Sequence, residues 1–391
     1  MIGMEDQALQ LNEYLNSRSQ EMLRFLKRLV ALESPSKDIA VQHNILLFLK
    51  KKLESLGFVA VHVPGQKTGG YLYARPRKRD KKLPLQLLIG HCDTVWPMET
   101  IKQMPISGSD EILKGPGIYD MKAGLTQLVF SLQAIAELKL PLKETPVVLI
   151  NSDEEIGSRE STPIIAKLSK LADRAFVMEP PLDLDGKLKT ARKGLGRFTI
   201  TVKGKAAHAG LDPQKGISAI VELSYQVQQL YAMNDMDKGI TVNVGMIEGG
   251  ISPNVVAPMS KAVVDVRVLK EADGQYITER IKGLRPHLKD VVLNIEGGIG
   301  RPPMERTERN QQLWHVAQEQ GNRLGISLEQ STSGGGSDAN TTSRFTATLD
   351  GLGTPGDGAH ANHEYILQHK LLERTALLSL LLLTDPLKHS I

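Results

Sequence analysis

Three short apolar runs, each closing on acids or a histidine, constrain this chain more than any other feature. They are LPLQLLIGH at 83–91, TPVVLINSDEE at 145–155 and RAFVMEPP at 174–181. Each has the length and apolar character of a strand buried on both faces. A helical pattern, GLTQLVFSLQAIAEL at 124–138, lies between the first two. Strands separated by helices predict an α/β fold with a mostly parallel, mixed sheet flanked by helices. Such sheets bind ligands beyond the carboxyl ends of their strands. His91, Asp93, Asp153, Glu154, Glu155 and Glu179 all fall at such ends, which points to a single site.

The chain of 391 residues is long for one core, so two domains are expected. Apolar residues at helical spacing predict a helix over 6–33 and another over about 39–56, after the turn residues SPS. FVAVHVP and GYLYARP follow as strands, and the basic run RPRKRDKK at 75–82 reads as a solvated turn. The pattern changes near 194. GRFTITVKGKAAHAG alternates like a half-exposed strand; a helix near 215–233, two strands, a helix near 271–287 and a further strand come after it. That order fits a small α+β domain of antiparallel sheet covered by two helices. The expected plan is a catalytic domain in two parts, 1–192 and 303–391, interrupted by an inserted domain over 193–302.

Composition excludes several classes. A net charge of +4 without a basic face or recognisable motif argues against nucleic acid. The single cysteine, Cys92, cannot build a disulfide framework and reads as a small buried residue. The N-terminus lacks the basic-then-apolar order of a signal peptide. The longest apolar run, LLSLLLL at 377–383, is too short to span a membrane, so a soluble cytoplasmic protein is expected. No GxGxxG follows the first strand, which removes a dinucleotide-binding oxidoreductase.

Five segments carry the chemistry: HCDTV at 91–95, YDMKAG at 119–124, SDEEIGS at 152–158, VMEPP at 177–181 and GAHANHEY at 358–365. Imidazole nitrogen and carboxylate oxygen are ordinary zinc ligands, and two metals about 3.5–4 Å apart can clamp both oxygens of a hydrolysis. His91 and Asp93 are two apart, so on a strand they leave the same face; His91 can ligate while Asp93 accepts from its other ring nitrogen. Asp120 has two oxygens with which to bridge metals, and it also suits a helix N-cap. Glu154 and Glu155 point in different directions, so one can bind metal while the other serves as the base. His360 and His363 are equal rivals by spacing.

Taken together, in this order and over about residues 20–385, the five segments resemble the dizinc exopeptidase family of glutamate carboxypeptidases, aminoacylases and succinyl-diaminopimelate desuccinylase, and most of all its bacterial glutamate carboxypeptidase branch. The resemblance implies two zinc ions per subunit. One lies on His91 and Glu179, the other on Glu155 and His360, with Asp120 bridging them. Asp93 would orient His91, and Glu154 would be general base and acid. A cis peptide at Asp120–Met121 is implied too. The inserted domain resembles the family's lid or dimerisation domain and implies a homodimer. There His208 would support the oxyanion. Asn254 and Arg267 would hold the substrate carboxylate, and Arg301 would read a glutamate side chain. The loop SGGGSDAN at 333–340, through Gly335, would face the substrate ahead of a helix whose N-terminus suits an anion. The implied substrate is a small peptide or N-acyl amino acid, hydrolysed to release a C-terminal residue. Arg301 and Lys187 tilt that residue toward glutamate. An aminoacylase or dipeptidase releasing neutral residues is the alternative, and an inactive ligand-binding homologue is the non-enzymatic one.

Overall fold

The structure, a computed structural model, describes residues 4–387. The chain divides into two compact units. The first comprises the described residues up to Thr190, Arg306–Thr332 and those from Ser337 on; the second comprises Ala191–Glu305 and Ser333–Gly336.

The first unit is built on a six-stranded sheet in the order Phe58–Val63, Tyr71–Pro76, Thr145–Asn151, Leu85–His91, Ala172–Val177, Ala347–Leu349. The last four strands are mutually parallel, and the hairpin at 58–76 adds two antiparallel strands at one edge. The sheet is therefore mixed and mostly parallel, with helices packed on it. Its central strands are apolar and buried along nearly their whole length, because helices cover both faces. The helix Ala123–Glu137 is buried for all but its last turn and packs against Gln368–Leu383. The run LLSLLLL belongs to this second helix, so its apolarity serves the core. Among the described residues no helix is long and apolar enough to cross a membrane. Cys92 is buried in the same core.

The helix expected over 6–33 is two helices, Met4–Ser17 and Ser19–Ala31, broken at Arg18. The Tyr14 carbonyl accepts both the Ser17 hydroxyl at 2.6 Å and the Arg18 N–H at 3.2 Å, and the backbone leaves helical geometry at Arg18, with φ −102° and ψ 3°. Arg18 turns outward to Glu137 at 2.9 Å. Apolar periodicity runs through the break because both helices bury the same stripe.

The second unit is a four-stranded antiparallel sheet in the order Thr241–Gly249, Met259–Val268, Gly194–Lys203, Val292–Arg301. One face alternates into a separate apolar core beneath the helices Ala219–Tyr231 and Glu271–Lys282. The strand Thr241–Gly249 lies at an edge.

One close approach ties the core to the strand ends. A Cβ on Gly124 would meet the Met178 carbonyl oxygen at 2.1 Å, so the helix Ala123–Glu137 seats directly on the backbone beside Glu179. We expect Gly124→Ala to force the helix away and to lower unfolding stability by about 1–3 kcal/mol, as overpacking does. Urea unfolding of the purified variant measures this, and an unchanged midpoint would refute the seating.

Candidate metal centre

Three neighbouring parallel strands deliver the acids and histidines. His91 is the last residue of Leu85–His91 and pairs in register with Asn151. On its other side Ile89 pairs with Val177, so two residues further along each chain His91 and Glu179 emerge together. Beyond Asn151 the chain turns through the short helical turn Glu154–Ile156. Asp120 lies just ahead of the helix Ala123–Glu137, and its peptide bond to Met121 is cis. His360 lies in the loop before the strand Tyr365–Leu367 and has φ of 62°.

These side chains form two groups that share Asp120. In one, His91 Nε2 lies 3.1 Å from Asp120 Oδ1 and 3.5 Å from Glu179 Oε1. In the other, His360 Nε2 lies 3.1 Å from Glu155 Oε2 and 3.5 Å from Asp120 Oδ2. Each group offers three ligand atoms within 4.8 Å of one another. Tetrahedral ligands at about 2.0–2.2 Å from one ion would stand roughly 3.3–3.6 Å apart, so both groups have the size of an ion's shell. The two oxygens of Asp120 face one group each. His363 belongs to neither group.

The electrostatics also call for a cation. Burial lifts the Glu155 carboxyl to about 7, with the Asp120 charge adding to the rise and His360 opposing it. Hydrogen bonds to Asp120 and Glu155 hold the His360 imidazole up at about 10. Burial would lower the His91 imidazole, but hydrogen bonds to Asp120 and Asp93 carry it well above its ordinary value. Burial opposes the ionised Asp120 carboxyl, yet the two imidazoles bring it well below the usual carboxylate range. Acids and imidazoles thus hold protons where a cation would sit. The donor set of imidazole nitrogen and carboxylate oxygen fits zinc.

Asp93 does more than expected and does it differently. His91 Nδ1 meets the main-chain oxygen of Asp93 at 3.0 Å, while the carboxylate stands at 3.4 Å. That carboxylate accepts from the backbone N–H groups of Glu154 and Glu155, both at 3.2 Å, and from Ser36 Oγ at 2.7 Å. It fixes the two glutamates as much as the imidazole. Behind the same turn, buried Asp338 accepts from Asn151 Nδ2 at 2.6 Å and from the Ser158 hydroxyl. Sequence reasoning missed Ser36, Asn151, Ser158 and Asp338. Their partners lie up to 187 positions away, and no local pattern marks them.

His208, Asn254, Arg267, Arg301 and Gly335 belong to the second unit. His208 is exposed, and its Nδ1 accepts from the N–H groups of Gly210 and Leu211 at 3.1 and 3.2 Å. The ring proton of the neutral form therefore sits on Nε2. Ala209 N–H donates to the Asn254 carbonyl at 2.9 Å, which places Asn254 beside His208. Arg267 and Arg301 both pair with Leu195, from opposite sides, so they share one sheet face. Arg267 also donates to the Gly334 carbonyl at 3.2 Å, and Arg192 to the Gly335 carbonyl at 3.2 Å. Lys187, in the first unit, pairs with Asp183 at 3.5 Å and with Glu329 at 3.4 Å. One expectation needs correction. The helix after SGGGSDAN is the single turn Ala339–Thr342, too short to supply an anion site at its N-terminus.

The family model described as peptidase family M20/M25/M40 matches residues 87–384. Carboxypeptidase G2 from Pseudomonas sp. (strain RS-16) is 28% identical over 357 residues, covering 88% of this chain and 84% of the relative. The crystal structure of an aminopeptidase, PepT, from Bacillus cereus superposes with a TM-score of 0.80 at 21% identity, over 93% of this chain and 98% of that one. A Bacillus subtilis structure described as a dinuclear metal-binding peptidase of the M20 family gives a TM-score of 0.71 at 15% identity, over 94% and 98%. The structural matches are of fold.

Metal must displace the protons on His91 and His360, because both imidazoles are raised and only neutral imidazole ligates. We expect net proton release on zinc binding at pH 7 and weaker apparent affinity as pH falls. Calorimetry in two buffers of different ionisation enthalpy measures this. Equal heats in both would contradict it.

Proposed function

This chain belongs to peptidase family M20/M25/M40, and from that premise we propose that it is a dizinc carboxypeptidase releasing a C-terminal amino acid, glutamate, from a small peptide or N-acyl amino acid. That it is a hydrolase of the peptidase class follows from the family. The observation that carries the finer reading is the pair of ligand groups sharing Asp120, with Glu154, the sequence neighbour of Glu155, in neither. Carboxypeptidase G2 as a relative over most of the chain supports the carboxypeptidase direction.

His91, Asp120 and Glu179 would hold one zinc; Asp120, Glu155 and His360 the other. Bound there, zinc supplies Lewis acidity and makes water more acidic. Glu154 takes the proton of the attacking water onto its carboxylate and returns it to the leaving amine nitrogen. Asp93 keeps Glu154 in place through its backbone N–H. His208 donates its Nε2–H to the oxyanion. Asn254 and Arg267 hold the α-carboxylate of the released residue, Arg301 reads its side-chain carboxylate, and the backbone at Gly335 faces the substrate.

The second unit serves as lid and dimerisation domain in this reading, which draws the domain limits at 1–192, 193–302 and 303–391. The edge strand Thr241–Gly249 exposes Met246 and Ile247, and the helix Ala219–Tyr231 exposes Ile220, Val221 and Tyr225. An apolar edge of this kind is suited to pairing with a second copy.

Release of a neutral residue by an aminoacylase or dipeptidase is the alternative reading. Asp265 meets Arg267 with both oxygens, at 2.7 and 3.1 Å, an ion pair that orients the guanidinium for an α-carboxylate in either case. Amino acid release from dipeptides and N-acyl amino acids ending in glutamate or in neutral residues decides between the two. Glutamate release abolished by a chelator is expected; preference for neutral residues would move the reading to an aminoacylase or dipeptidase.

Two substitutions separate the roles. Glu154→Gln should lower kcat by about 10²–10⁴-fold while two zinc ions remain bound. His208→Ala should lower kcat by about 10²–10³-fold with a smaller change in KM. Near-wild-type turnover in either variant, assayed by the same release reaction, would remove that residue from the mechanism.

A further inference from the structure

Glu364 belongs to neither ligand group, yet it is fully buried and its carboxylate is saturated with donors. Oε1 accepts from the backbone N–H groups of Tyr119 at 2.9 Å and Asp120 at 3.1 Å. Oε2 accepts from the Gly117 N–H at 2.8 Å and the Trp96 indole N–H at 2.9 Å. Three of the four donors come from the turn that carries Asp120. The fourth comes from the segment just past His91 and Asp93.

The same residue anchors the other end of the centre. Glu364 closes the loop that carries His360: its N–H donates to the Ala361 carbonyl at 3.0 Å, and Ala361 N–H donates to the Gly358 carbonyl at 2.8 Å. Gly115 N–H donates to the Glu364 carbonyl at 3.3 Å, and Tyr365 then pairs with Lys114. A Cβ on Gly358, whose φ is 82°, would stand 2.9 Å from the Glu364 backbone, so this loop is packed tightly against its own anchor.

We infer that Glu364 is a positioning residue that locks the Asp120 turn to the His360 loop, and so sets the separation of the two ligand groups. A carboxylate is the side chain for this task. Four converging N–H groups need four acceptor lone pairs, and a buried anion is tolerated where such donors replace water. Glutamine would present an NH₂ group to two of those donors and leave them without an acceptor.

The inference rests on the dinuclear reading, and its test is read without substrate. Zinc affinity and stoichiometry are measured by chelator competition for the wild type, Glu364→Gln and Trp96→Phe, with thermal melting of the metal-free proteins alongside. Glu364→Gln should weaken zinc about 10–100-fold, as loss of a residue supporting the ligands does. The loss should fall on both ions, because Asp120 serves both. At saturating zinc, kcat should fall while KM changes little. Trp96→Phe removes one donor of four and should weaken zinc about 3–10-fold, which keeps the test open if Glu364→Gln does not fold. A folded Glu364→Gln, or Trp96→Phe, that binds two zinc ions with wild-type affinity would overturn the inference, whatever its melting temperature. Loss of zinc affinity in a protein that hydrolyses no amide would uphold it while overturning the proposed activity.

Discussion

The centre depends on one carboxylate faced by two imidazoles. Asp120 turns one oxygen toward His91 and the other toward His360, and each imidazole has a further glutamate beside it. Three acids drawn together and largely buried repel one another and lose hydration, an arrangement that stands only with positive charge among them. In the metal-free protein that charge comes from the two raised imidazoles and from protons on Glu155. A divalent cation in each group would answer the same demand and free the imidazoles to ligate.

The surrounding fold follows from holding those groups in register. The parallel alignment of Leu85–His91, Thr145–Asn151 and Ala172–Val177 brings His91, the Glu154–Glu155 turn and Glu179 to one rim. Loops between helices and strands must supply Asp120 and His360, and loops have no ladder to fix them. Buried carboxylates take that part: Asp93 and Asp338 grip the turn of the two glutamates from two sides, and Glu364 grips the other two ligand loops. The sheet face of the second unit that carries Arg267 and Arg301, with the glycine carbonyls beside them, is where the proposed function puts selectivity.

Much of this was legible in the sequence, and the physical reason is visible in which parts were. The buried strands announce themselves as short, mostly apolar runs, and the polar residues that stop them, His91 and Glu179, mark the rim. The resemblance carried by the order of the five segments named Asp120, Glu155 and His360, which the structure brings together; spacing alone left His360 and His363 level. The break at Arg18 was hidden because the helices on either side of it bury the same apolar stripe. Glu364 stood in plain view after His363, but its donors lie some 245 residues away, and a side chain that binds backbone N–H groups imposes no sequence on them.

Diffraction from a zinc-loaded crystal, with anomalous maps recorded on either side of the zinc edge, tests the central claim most directly. Two peaks about 3.5–4 Å apart, one on each side of Asp120, are expected. A single peak, or peaks away from Asp120, would contradict a centre built on that shared carboxylate.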